Sequence, residues 1–173
     1  MKKHLTAILA ALITFAFLCA CSKTEETGKL DQYLGDYSYS DSAVCMVYEP
    51  VEDEFGDDGR QIYGIQYRKI NDLDGLLASG TPIMIYFFSS MSSDTAAITA
   101  AVEDLAQNYN GRLTIVMLDA MEYRQYMTKY DIDAVPEFVL IKPGQADTKF
   151  DALSYEYWTV SDLISWLRSN GIT

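Results

Sequence analysis

The sequence predicts an α/β fold, a central sheet flanked by helices, and three observations lead there. From residue 71 onward helical and strand patterns alternate. The run Ile83 to Phe88 is continuously apolar, as a strand buried on both faces is, and Leu113 to Leu118 reads as another buried strand. Between them Ile98, Ala101, Val102, Leu105, Ala106 and Tyr109 recur at the i, i+3, i+4, i+7 spacing of an amphipathic helix. The chain has 173 residues, 49% hydrophobic and 22% charged, which suits one ordinary globular domain.

Each element has its own justification. Leu30 to Tyr39 mixes three tyrosines with Asp and Gly and reads as a short helix or an irregular wrap. Residues 43–49 and 61–70 have the β-branched and aromatic composition of strands. The six acidic residues between Glu49 and Gly59 predict a solvated hairpin loop ending at Asp58-Gly59, because they lack the alternate spacing and closing Glu of a calcium loop. Asp72 to Ala78 is a short helix ended by Gly80, and Pro82 leads into the strand 83–88. Asn110-Gly111 stops the long helix, and 121–130 forms a third. A strand at 138–141 turns at Lys142-Pro143-Gly144 toward an edge strand at 148–153. A last helix begins near Thr159 or Ser161, with Val160, Leu163, Ile164 and Leu167 as its apolar stripe.

The first twenty residues stand apart from this domain. Lys2 and Lys3 precede an apolar run from Leu5 to Leu18, the pattern of a secretory signal. The run is shorter than the ~20 residues a permanent transmembrane helix needs. Leu18-Cys19-Ala20-Cys21 then resembles the lipobox of bacterial lipoproteins. That resemblance implies cleavage before Cys21, lipidation of its sulfur and a palmitate-type anchor in the cell membrane or outer membrane. Residues 1–20 are thus read as signal peptide and 21–29 as lipidated cysteine and tether. Residues 30–60 are read as an N-terminal strand and hairpin extension, and 61–173 as the main domain. After cleavage and lipidation Cys45 is the remaining thiol, and its apolar strand marks it as a small buried hydrophobe.

Three local runs carry a second resemblance. Tyr86-Phe87-Phe88-Ser89-Ser90-Met91-Ser92-Ser93-Asp94-Thr95 resembles the segment bearing the active site of the thioredoxin family. Lys129 to Phe138 resembles the segment in which a hydrophobic residue, here Val135, precedes a cis-proline, here Pro136. Lys142-Pro143-Gly144 falls where that family turns between its last two strands. The resemblance implies a thioredoxin-like fold with a central mixed sheet over residues 61–171. It also marks departures. The two positions of the family's Cys-x-x-Cys are Ser92 and Thr95, its buried acid corresponds to Tyr86, its lysine to Met117, and its tryptophan to Met91. Ser92 and Ser93 read as helix caps, and Asp94 suits the first turn of a helix.

These substitutions point away from catalysis. Serine cannot form a disulfide, and an activated serine needs a base within reach, whereas the one histidine, His4, lies in the leader. The formal charge of −12 removes any general attraction for nucleic acid. No cofactor and no metal are expected. What the resemblance leaves is a peptide-binding groove of Met91, Ser92, Thr95, Val135 and Pro136, with Phe88 and Tyr126 as further apolar contacts. The expected function is a membrane-tethered, redox-inactive domain binding a protein or peptide in the bacterial cell envelope. Two alternatives remain: a thiol–disulfide oxidoreductase accessory acting through Cys45 with a partner thiol, and a purely structural envelope lipoprotein.

Overall fold

A computed structural model describes residues 29–173 of the chain. The readings of residues 1–20 as signal peptide, of Cys21 as lipidation site and of the tether as far as residue 28 lie outside the described residues. The chain divides into two units, Met1–Gln32 and Tyr33–Thr173. In the described part of the first, Gln32 donates from Nε2 to the Lys29 carbonyl at 3.2 Å.

The second unit is built on a seven-stranded sheet. Its strands are β1 (Leu34–Tyr37), β2 (Ala43–Phe55), β3 (Gln61–Ile70), β4 (Ile83–Phe88), β5 (Thr114–Asp119), β6 (Glu137–Ile141) and β7 (Thr148–Lys149). They lie in the order β1-β3-β2-β5-β4-β6-β7. Only β4 and β5 run parallel to each other, so the sheet is mixed. The helices are α1 (Leu73–Leu77), α2 (Thr95–Asn108), α3 (Arg124–Lys129) and α4 (Val160–Ser169).

The continuous apolar runs take the middle of the sheet. Every residue of β4 from Ile83 to Phe87 is buried, and so are Ile115 to Leu118 of β5. Burial on both faces requires a cover on each side, and helices supply it. Val102, Leu105, Ala106 and Tyr109 of α2 join Leu163 and Leu167 of α4 in one core with Met84, Tyr86, Met117, Phe138 and Leu140. Helix α4 opens with a capping box. The Thr159 hydroxyl accepts from the Asp162 N–H, and the Asp162 carboxylate accepts from the Thr159 N–H at 2.8 Å.

Three expectations are corrected. The acidic stretch is not a loop: β2 runs on to Phe55, and the turn occupies only 56–60, closed by Gly59 N–H to Gly56 O and Gly56 N–H to Arg60 O. Carboxylates fit this strand because its outer half is open to water. Strand β5 pairs with Ala43–Met46 of β2, antiparallel. Residues 30–39 contain a 3-10 turn at Asp31–Tyr33 and then β1, which pairs with the end of β3. The edge strand expected over 148–153 stops at Lys149, two residues before Asp151 takes a left-handed φ of 54°.

Candidate functional site

The register brings the two marked segments to one end of the sheet. Phe87 of β4 lies opposite Glu137 of β6, and Phe88 lies beside Asp119 of β5. The turn that leaves β4 and the loop that enters β6 are therefore neighbours. The Val135–Pro136 peptide bond is cis, as the resemblance implies. Among the described residues no hydrogen bond engages the backbone N–H or carbonyl of Val135.

Local polar bonds shape the turn, though not as simple capping. The Thr95 hydroxyl donates to the Ser89 carbonyl at 2.7 Å, and the Ser89 hydroxyl accepts from the Met91 N–H at 3.3 Å. The Ser92 hydroxyl accepts from Asp94 N–H at 3.4 Å, while that of Ser93 donates to the Asp94 carboxylate at 3.2 Å. The residue at the cap position of α2 is Asp94, in helical backbone conformation and with no side-chain cap bond. Ser92 and Ser93 thus belong to the turn itself. The physical reason is that the turn already supplies the first backbone bonds, Thr95 N–H to Ser92 O and Ile98 N–H to Asp94 O. Ser92, Ser93 and Asp94 face solvent, and Met91 is 83% exposed.

Beneath the turn the chemistry is apolar. Tyr86 is fully buried and stacks on Phe138 at 5.1 Å between ring centres. Its hydroxyl makes no hydrogen bond of normal geometry. Burial pushes this phenol up to about 12, with only partial relief from the Thr99 hydroxyl. A phenol held protonated at neutral pH cannot accept a proton from a neighbouring nucleophile as a carboxylate does. Met117 is also packed into the core. Tyr126 is not a groove residue: it is buried, and its hydroxyl donates to Asp74 at 2.9 Å. Phe88 is half-buried and packs against Tyr86.

Two acids at this end escaped the sequence reading. Asp119 is buried at the end of β5 and accepts from the Met121 N–H at 2.9 Å, which holds the turn before α3. Glu137, directly after Pro136, is buried and accepts from the Phe138 N–H at 2.9 Å. Burial raises its carboxyl above the usual range, opposed by the Phe138 amide and the Lys149 ammonium. It lines a cleft of about 330 Å³ with Asp131, Asp133, Ala134, Lys149 and Asp151. Their signal was a polar residue at the terminus of each apolar run. Among the described residues no group of three or more histidines, cysteines and acids is placed to hold a metal ion.

Cys45 lies elsewhere, fully buried in β2. Burial pushes its thiol up to about 12. Neither access nor thiolate is available there, which argues against an exchange role.

A thioredoxin family model matches residues 69–167. The chain belongs to the thioredoxin family. It is 31% identical over 70 residues to thioredoxin M3, chloroplastic, of Oryza sativa subsp. japonica, covering 40% of each chain. It is 26% identical over 70 residues to thioredoxin 1 of Nostoc sp., covering 40% of this chain and 65% of that one. The chain thus spans less than two thirds of these curated relatives. Among solved structures, mitochondrial thioredoxin 3 from Saccharomyces cerevisiae in its oxidised form is 20% identical, with a TM-score of 0.47 over 55% of this chain and 84% of that one. The thioredoxin-matched segment holds no cysteine: Cys19, Cys21 and Cys45 all precede it.

Proposed function

We propose that this chain is a membrane-tethered, non-catalytic member of the thioredoxin family that binds an extended protein or peptide segment in the bacterial cell envelope. One arrangement carries the reading. Ser92 and Thr95 stand at the two cysteine positions, over a fully buried Tyr86, while the unpaired backbone of Val135 and the exposed Met91 remain at the surface beside them. An unpaired N–H and carbonyl at a strand entry are suited to an extended chain. Methionine offers it an adaptable apolar contact. Hydroxyls supply no redox couple, so binding is what this end of the sheet can still do.

The tether rests on Leu18-Cys19-Ala20-Cys21. Acyl chains on Cys21 would hold the domain on the outer side of the cell membrane or in the outer membrane, at ~0.8 kcal/mol per buried methylene. Among the described residues no helix is long and apolar enough to cross a membrane.

Two measurements test this reading. In insulin reduction driven by dithiothreitol, the full chain should match the no-protein control; turnover above it sinks the non-catalytic half. A photo-crosslinker at Ser92 in living cells should trap a protein partner, and Met91→Asp should reduce the yield. No adduct from Ser92 would leave the purely structural alternative standing. Fatty-acid labelling that persists in Cys21→Ala would remove the tether.

A further inference from the structure

The outer half of the β2–β3 ribbon is unlike the rest of the sheet. Strand β2 pairs with β5 only over Ala43–Met46, and β1 pairs with β3 only near its end, at Arg68 and Ile70. Among the described residues, 48–66 therefore form a two-stranded ribbon with no further strand on either side. A lone two-stranded ribbon is marginal in water unless one face is packed. At its base that face is packed, because Ile65 and Tyr67 lie against the core and Tyr67 donates to Glu103 of α2.

Beyond α2 the same face continues with no other described element over it. Tyr48 lies opposite Ile65 and Pro50 opposite Tyr63, which places these four side chains on one face. The rings of Tyr48 and Tyr63 are 5.9 Å apart. A bulge at Asp53, whose φ is 60°, shifts the register so that Phe55 pairs with Gln61 and returns to that face. Gln61 secures the bulge by donating to the carbonyls of Val51 and Glu54. Tyr63 is 53% exposed and Phe55 60%. The core thus extends into water as an apolar stripe.

Charge selects what can cover it. From residue 48 to 63 the ribbon holds six carboxylates and one cation, Arg60, which is spent on Asp58 at 3.2 Å. Glu52 lies on β2 just before the bulge, and Asp57 and Asp58 crown the turn. A second copy would set this acidic rim against its own like, and anionic lipid would be repelled. Pro50 and the bulge blunt the strand edges, so contact falls to the face.

We propose that this face docks a partner protein through a segment combining lysine or arginine with apolar side chains. The surface is separate from the Met91–Val135 groove and does not rest on its function. Fluorescence anisotropy of labelled (Lys-Tyr)₄ and (Glu-Tyr)₄ with the full chain, in one neutral detergent, tests it. The basic peptide should bind at least about ten-fold tighter, a gap that narrows with salt. Phe55→Ser with Tyr63→Ser, and separately Glu52→Lys with Asp57→Lys, should each weaken it about ten-fold, with unchanged circular dichroism. Equal binding of the two peptides, or indifference to the aromatic pair, overturns the proposal. So does loss of binding in Met91→Asp, which would place the peptide in the groove. A sedimenting dimer that the aromatic pair abolishes would make a second copy the occupant and equally overturn it.

Discussion

The two ends of this sheet were built under different constraints. Strands β4 and β6 each have a neighbour on both sides, and Tyr86, Phe87 and Phe138 are sealed from water. At the ribbon end the strands have one neighbour, and Tyr63 and Phe55 stand open. The family match begins at residue 69, so it includes the first end and omits the ribbon. The contrast separates a packed scaffold, which the family model spans, from an exposed ribbon that it does not.

Truncation at the two ends should separate most. Tyr86→Ala would empty a ring-sized space beside Phe138 and cost about 3–5 kcal/mol in urea unfolding. Tyr86→Phe removes only a hydroxyl without a hydrogen bond, so it should leave stability equal or slightly higher. Phe55→Ser at the ribbon should stay within about 0.5 kcal/mol. A large loss there would mean that the ribbon is part of the cooperative core.

Alkali should weaken the buried core. Cys45 is raised to about 12, and so are Tyr86, Tyr126 and Tyr130. Each is an acid that the fold keeps protonated, so the unfolded chain loses its proton earlier and binds fewer protons. Stability is therefore complete below the unfolded values, near pH 9 for the thiol and 10 for the phenols, and falls as pH climbs toward 12. For Cys45 alone the slope is about 1.4 kcal/mol per pH unit. Urea midpoints measured from pH 8 to 11 should decline, and less steeply in Cys45→Ala. A flat profile would mean that these groups meet water.

A smaller change sharpens the account of the turn. Ser92→Cys with Thr95→Cys places thiols one turn apart, where the Thr95 N–H reaches the Ser92 carbonyl at 3.4 Å. An intramolecular disulfide should form and be detected by mass. Reductase activity should nonetheless stay far below that of a thioredoxin, since a buried phenol replaces the proton acceptor and Asp94 disfavours a thiolate. The substitution also deletes the Thr95 hydroxyl bond to Ser89, at about 1 kcal/mol. Full activity would show that the cysteines were all that was missing.

Much of this was readable from the residues alone, where local physics decides. An unbroken apolar run announced β4, strand composition announced β5, 3.6-residue spacing announced α2, and the apolar stripe after Thr159 announced α4. The turn at Ser89–Thr95 and the cis bond at Val135–Pro136 followed from family resemblance. Tertiary packing decided what no window of sequence contains. The acidic stretch became strand because its edges stay in water, where a carboxylate costs nothing to expose. Ala43–Met46 took the place beside β5, a pairing across some seventy residues that leaves no trace in local pattern. Tyr126 and Met91 read alike as apolar contacts, yet Asp74 holds the first inside while the turn leaves the second out. Burial is a property of neighbours, and only the fold supplies them.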